Sequence, residues 1–317
     1  MKGLELAEAY YKSCEKQLKE LLGKDFEAVS IGLCGQGSEC FGFDDEISRD
    51  HDFGPGFCIF ADASVYEKHG KCLEQFYEAL PKKFMGMERN VSSHGQGRVG
   101  VVRTKDFYFG NLGIDHAPEN LFQWYQLSEE RLAMVTNGRI FHAGNDEFMS
   151  LRKSFQGFYP KEVFYKKLAS RLAVMAQAGQ YNYVRCMERK DEVAAYLALG
   201  IFLKNAVSAL YLLKGCYMPF YKWAYRGLEQ LEGLTMMRQL LSGLAKSRSG
   251  VSIIAISETE SREYATEALI AAVCGEIVKE CLRQEILTEP VTYLEDGAVY
   301  LQKKITDALL KQLPLEM

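Results

Sequence analysis

Along the first 120 residues the apolar positions follow two different periods. Residues 3–22 and 64–79 place apolar side chains every three or four positions, the spacing of one helix face. Asp62 and Ser64 stand where the second of these helices needs a cap, and Pro81 stops it. Three shorter runs, AVSIGLC (28–34), FCIFA (57–61) and VGVVRT (99–104), have β-type composition and are separated by glycine-rich turns. The first part of the chain is therefore expected to alternate strands and helices.

After Pro160 the helical period takes over. KEVFYKKLASRLAVMAQ, KDEVAAYLALGIFLKNAVSALYLLKG, RGLEQLEGLTMMRQLLSGLAK and SREYATEALIAAVCGEIVKECLRQE each read as helix, which predicts a helical bundle. Between the two textures, QLSEERLAMVTNG reads as a short helix capped by Ser128 and closed by Gly138. The expected domains are 1–155 and 156–317. VSIIAISETE (251–260) is left open between a strand and a buried turn, because short apolar runs do not separate the two. The longest apolar run, Val193 to Leu203, meets Lys204 after 11 residues. That is short of the roughly 20 needed to cross a bilayer, so a buried helix is expected there.

Composition changes this picture little. At 317 residues, 48% hydrophobic and 25% charged, the chain is globular in type, with length for about two domains. A formal charge of −4 and a pI near 5.9 give no general attraction to nucleic acid or anionic lipid, and a small anionic ligand suits the chain better. Nine cysteines without a CxxC spacing read as free thiols. Charges run all through the N-terminal helix, which is unlike an export signal, so a cytoplasmic location is expected.

Candidate chemistry concentrates in IGLCGQGSECFGFDDEISRDHDFGPGFCIF (31–60). A predicted strand ends in Gly35, Gln36, Gly37 and Ser38, and the pair Asp50 and Asp52 follows just before the next strand. In extended geometry positions i and i+2 share a face, so both carboxylates converge. Like charges so close call for a divalent cation, and Mg²⁺ or Mn²⁺ supplies hard coordination with room for phosphate oxygens. Gly37 lets backbone approach a phosphate, and Ser38 adds a hydroxyl. A phosphate cradle beside a metal-binding pair points to phosphoryl or nucleotidyl chemistry. Arg49 beside the pair either neutralises it or grips a phosphate.

Gly37-Ser38 followed by Asp50-x-Asp52 resembles the signature of the polymerase-beta-like nucleotidyltransferase superfamily, which includes kanamycin nucleotidyltransferase. GSECFGFDDEISRDHDFGP, TNGRIFHAG and YMPFYKWAYR look like a bacterial family within it that is catalogued as a domain of unknown function. The resemblance spans roughly residues 30 to 230. It implies an α+β fold, a small mixed sheet with helices followed by an all-α helical bundle. It also implies that Gly37 and Ser38 hold the triphosphate of an NTP, that Asp50 and Asp52 are catalytic and bind metal, and that an NMP passes to a hydroxyl acceptor. A third carboxylate on a later strand completes the superfamily pattern, but VGVVRT carries none. Glu88, Asp106 and Asp115 are the substitutes within reach of the sequence. The competing reading is a nucleotide-binding regulatory or interaction module without catalysis.

Other residues are weighed more briefly. Glu39, Asp44, Asp45 and Glu46 read as solvated or capping loop groups. His51-Asp52 as part of a helical phosphohydrolase site is disfavoured, because glycine turns and strands surround it. SSHGQGR (92–98) reads as a hairpin connection, with a second phosphate loop through Arg98 as the alternative. In YMPFYKWAYR (217–226), Lys222 and Arg226 are candidates for holding triphosphate, and Tyr221 or Trp223 for stacking on a base, against a packing role for all four. Pro219 is expected in a helix's first turn. The acceptor is an unidentified small molecule or macromolecule, no membrane partner is expected, and homodimer formation is left open.

Overall fold

The computed structural model describes residues 1–49, 53–89, 97–248 and 259–316. The fold is α+β: a small mixed sheet with helices, then a helical bundle. Two compact units divide it, one of 1–118 and 127–158, the other of 119–126 and 159–317.

The first unit opens with α1 (Gly3–Leu22), followed by β1 (Val29–Leu33), β2 (Cys58–Ala61) and α2 (Ala63–Ala79). A two-stranded hairpin comes next, β3 (Lys83–Phe84) with β4 (Met87–Glu88), then β5 (Gly100–Arg103) and α3 (Thr104–Leu112). The helix α4 (Leu121–Gln126) belongs to the other unit, after which α5 (Glu129–Thr136), β6 (Arg139–Ala143) and α6 (Asp146–Gln156) complete the first. The sheet runs β5-β2-β1-β6, with β1 antiparallel to both neighbours and β2 parallel to β5.

Both central strands are buried along their whole length, and the two-residue alternation explains why. Val29, Ile31, Phe57, Ile59 and Ala61 face α1 and α2, in a core with Tyr10, Leu18, Val65 and Leu73. On the opposite face Phe60 stacks on Phe148 of α6, ring centroids 4.0 Å apart, and meets Phe107 of α3 edge-on. A strand covered on both sides loses its polar alternation and reads as a continuous apolar run.

Local capping shows which signals carried. Asp62 caps α2, its side chain accepting from the Val65 amide at 2.8 Å, while Ser64 supports it by donating its hydroxyl to the same carboxylate. Ser128 precedes α5 but its side chain makes no capping bond. β6 did not stand out in the sequence: it is an edge strand of graded burial, with a register shift against β1 between Ile31 and Gly32. That irregularity and its polar Arg139 and His142 blur the alternation a strand needs.

The second unit is helical throughout: α4, α7 (Lys161–Met175), a π-helical stretch Ala176–Tyr183, α8 (Val184–Glu188), α9 (Glu192–Leu213) and α10 (Tyr221–Gly227). α11 (Thr235–Arg248), α12 (Thr259–Arg283), α13 (Leu294–Lys303) and α14 (Ala308–Gln312) follow. α7 packs between α9 and α13, with Leu168, Leu172, Phe202 and Leu301 fully buried. A side chain at Gly179 would collide with the Phe202 ring, so only glycine lets the π-helical stretch approach α9 this closely. Pro219 lies two residues before α10 and not inside its first turn.

α9 corrects one expectation. It continues ten residues beyond Leu203 and reaches a mean hydropathy of 1.7 over 18 of its residues, half of them buried. The C-terminal half is the buried helix the sequence suggested, whereas Val193, Tyr196, Leu197 and Ile201 point outward. The run 251–258 lies outside the described residues, and Thr259 and Glu260 begin α12.

Candidate functional site

The site is built where β1 runs out. Cys34 is followed by Gly35 and Gly37, at φ +111° and +122°, conformations that side-chain-bearing residues rarely adopt. Asn137, at the end of α5, fastens this turn from both sides: its Oδ1 accepts from the Gly35 amide and its Nδ2 donates to the Gly35 carbonyl, each at 2.8 Å. Ser38 then turns into a 3₁₀ turn, Glu39–Phe41, and its carbonyl accepts from the amides of Phe41 and Phe43.

The amides of Gln36, Gly37, Ser38 and Cys40 meet no hydrogen-bond acceptor among the described residues, whereas the Glu39 amide bonds its own carboxylate. Three consecutive donors without an acceptor, Gln36 to Ser38, at the end of a buried strand, form a surface suited to an anion. The Ser38 hydroxyl makes no capping bond there.

The space beside Gly37 is occupied. A side chain at Gly37 would collide with the Arg98 guanidinium, which donates through Nη2 to the Gln36 carbonyl at 2.7 Å and to Glu39 Oε1 at 2.8 Å. Glu39 is buried, and burial pushes its carboxyl above the ordinary value against the pull of Arg98. The glycine at 37 thus makes room for an arginine as well as leaving backbone bare. A second guanidinium lies nearby: Arg89 fills the space that side chains at Gly54 and Gly56 would take, and its Nε is buried without a hydrogen-bond partner. Arg89 and Arg98 both bear electrostatically on Glu39.

Three thiols lie under the turn. Cys34, Cys40 and Cys58 are buried, Cys40 donates to the Gln36 carbonyl, and Cys58 to the Arg98 carbonyl. Burial pushes Cys34 up to about 12 and the other two higher as well. They are packing groups rather than nucleophiles. None of the nine cysteines is in a disulfide.

The remaining sequence candidates distribute unevenly. Asp50 and Asp52, with His51 between them, lie outside the described residues. Arg49 ends the 3₁₀ turn Ile47–Arg49, and its side chain is likewise not described. Gly37 and Ser38 share the turn with Arg98. Lys222 belongs to the second unit, on α10, exposed, with its ammonium 5.1 Å from the centre of the Trp223 ring, which Arg226 also approaches at 5.6 Å.

Of the acids weighed as a third carboxylate, Glu88 sits exposed on β4 opposite Lys83. Asp106 pairs with Arg103 at 2.7 Å, and Asp115 lies near Lys105 and His116. Among the described residues no group of three His, Cys, Asp or Glu could hold a metal.

Of the loop acids, Asp44 takes the capping role expected, whereas Glu39 departs from the expectation, buried against Arg98. Asp44 is buried and caps α1, its Oδ2 accepting from the Gly3 amide at 2.9 Å. Arg89 was not visible as a site residue, because it comes from a short hairpin without periodicity. The signal that could have found it is Gly54-Pro55-Gly56, two glycines that vacate space for a large neighbour.

A family model described as a domain of unknown function (DUF4037) matches residues 124–224. The matched segment reaches from α4 into α10 and includes Lys222, but neither the turn at 35–38 nor Asp50 and Asp52. No curated protein matches the chain. Among solved structures, a nucleotidyltransferase-like protein from Exiguobacterium sibiricum 255-15 aligns over 92% of this chain and 90% of its own. The identity is 10% and the TM-score 0.37, too low for the likeness to carry the fold. Over about a third of its length, then, the chain is similar to a family catalogued only as a domain of unknown function.

Proposed function

We propose that the protein is a nucleotidyltransferase that moves an NMP from an NTP to a hydroxyl acceptor, with a divalent cation. The observation that carries this reading is the set of open amides at the end of β1, Gln36, Gly37, Ser38 and Cys40, with the Arg98 guanidinium and its Glu39 partner against Gly37. Amides and a guanidinium together favour a polyanion such as a triphosphate over a single carboxylate. Asp50 and Asp52 follow 12 and 14 residues after Ser38 in sequence, and would hold Mg²⁺ or Mn²⁺. The cation would neutralise phosphate charge, while the turn orients the triphosphate and Arg98 offsets its negative charge.

Incubating the protein with each labelled NTP and Mg²⁺ tests this. Nucleotide binding or transfer that is lost in Asp50→Asn and Asp52→Asn is expected. Absence of NTP binding in every case would remove the reading.

One observation favours the second reading, a nucleotide-binding module without turnover. β5 carries no carboxylate and ends on Arg103, whose guanidinium engages Asp106. NTP binding that persists unchanged in Asp50→Asn and Asp52→Asn, with no pyrophosphate released by the native protein, would select it. The acceptor, small molecule or macromolecule, is then replaced by a protein partner.

A further inference from the structure

The corner between α5 and β6 holds the glycine turn at two points. Asn137 takes both the amide and the carbonyl of Gly35, and the amide of the next residue, Gly138, donates to the Cys40 carbonyl at 2.8 Å. Gly138 lies hard against the end of β1, where a side chain would run into the Leu33 carbonyl and Cys34. Its φ of +72° also suits glycine. Residues 35 and 40 bracket the open amides of Gln36, Gly37 and Ser38, so the placing of this corner decides where those amides point.

The corner is in turn held from behind. Arg152 on α6 is 5% exposed and spreads its guanidinium over the end of α5. Its Nη1 donates to the Val135 carbonyl at 3.0 Å, and its Nη2 to those of Thr136, at 3.0 Å, and Asn137. It makes no ion pair among the described residues. Capping accounts for part of this, since the last turn of a helix leaves its carbonyls without amide partners. It does not account for the third bond, which goes past the helix to the residue that grips Gly35. Nor does it call for a buried charge, which is costly to desolvate. Gln156, one turn further along α6, already donates a neutral amide to the Thr136 carbonyl at 3.3 Å.

We propose that Arg152 is a positioning residue for the anion-binding turn, acting through the Asn137–Gly138 corner, a role that rests on the nucleotidyl reading for the identity of the anion. The chain of contacts is continuous: Arg152 to the Asn137 carbonyl, the Asn137 side chain to Gly35, and the Gly138 amide to Cys40. All of it lies within the first unit. A guanidinium suits the task because its planar fork reaches several carbonyls at fixed angles, which sets an orientation as well as a distance.

Two measurements on the full chain test this: amide exchange by mass spectrometry without ligand, and calorimetric titration with ATP, GTP, CTP and UTP in Mg²⁺, following the tightest of the four. Asn137→Ala, at a half-buried position, should speed exchange in the peptide covering 34–41 and weaken the nucleotide about ten-fold or more. Arg152→Gln should do the same with an unchanged circular dichroism spectrum. The double variant should bind within about two-fold of the weaker single one, because both act through one corner. Gln156→Ala, which removes the other donor at the end of α5, should change neither readout. Unchanged exchange at 34–41 in Asn137→Ala, native affinity in a folded Arg152→Gln, losses that multiply in the double variant, or an equal effect of Gln156→Ala would overturn the proposal. A native protein that binds none of the four nucleotides would remove the nucleotidyl reading instead, and the exchange measurement, which needs no ligand, would still decide whether Arg152 holds the turn.

Discussion

At Gly37 one hydrogen atom in place of a side chain decides what the turn can hold. Backbone at φ +122° and the Arg98 guanidinium against it make two separate demands, so Gly37→Ala should cost about 1–3 kcal/mol of stability. A shift of the urea midpoint at unchanged m-value would show it. The partners of Arg98 define a second test. Arg98→Met leaves the buried Glu39 carboxylate without its guanidinium, and about 3 kcal/mol should be lost. Arg98→Met with Glu39→Gln should recover most of that loss, because removing both charges leaves no unpaired one. A double-mutant cycle by chemical denaturation measures the difference. Neither demand could be read from the chain. GQGS announces a turn, but the arginine that fills it lies some sixty residues away, and only the folded sheet brings the two together.

Elements were legible in proportion to how much of their own sequence determined them. α2 shows its cap, period and stop within 20 residues, and β2 shows an unbroken apolar run, β1 one interrupted at Ser30, because both sheet faces are covered. β6 and the β3–β4 hairpin depend on neighbours for their pairing and carry no comparable pattern. α7 hides another non-local feature. Lys166 is fully buried and donates to Gln302 Oε1 and to the carbonyls of Leu313 and Pro314. Burial pulls its ammonium down to about 8 from an ordinary 10.5. Below the lower value both folded and unfolded chains hold the proton, and the folded state bears the burial cost. Between the two values the unfolded chain binds more protons, so the contribution of Lys166 to stability should rise with pH, by on the order of 3 kcal/mol if completed. Burial holds Tyr11, Tyr108 and Tyr211 above their ordinary 10, so the lysine's share is best read between about pH 8 and 9.5 as the difference between the native protein and a variant without it. Buried Cys14, Cys34, Cys40, Cys58, Cys216, Cys274 and Cys281 are also pushed up, and so lower stability as the unfolded thiols ionise. Denaturation midpoints should therefore fall less steeply across that range in the native protein than in Lys166→Met.

For the whole molecule the acid side is set by carboxylates in both units. Lys68 and then His69 hold Asp25 down to about 2, and Arg283 above all holds Glu280 down to about 2. A lowered folded pKa gives stability that is complete above the ordinary carboxylate range and is lost as pH falls toward 2. Asp25→Asn should therefore flatten the acid limb of the first unit while leaving the Glu280 contribution in place, which thermal melts from pH 5 to 2 would resolve. The change of texture near Pro160 coincides with the start of α7. What no texture revealed is that α4, an isolated six-residue helix, belongs to the later unit. Trp124 meets Tyr159 edge-on, and the Lys167 ammonium lies 5.0 Å from the Tyr125 ring.

Because of α4 the polypeptide passes between the two units three times, at 118/119, 126/127 and 158/159. Protease nicking at the last crossing alone would leave the N-terminal fragment still lodged in its neighbour through this helix. The pieces should co-purify until α4 is pried loose, and a gene cut at that junction would encode halves that complement each other instead of freestanding modules.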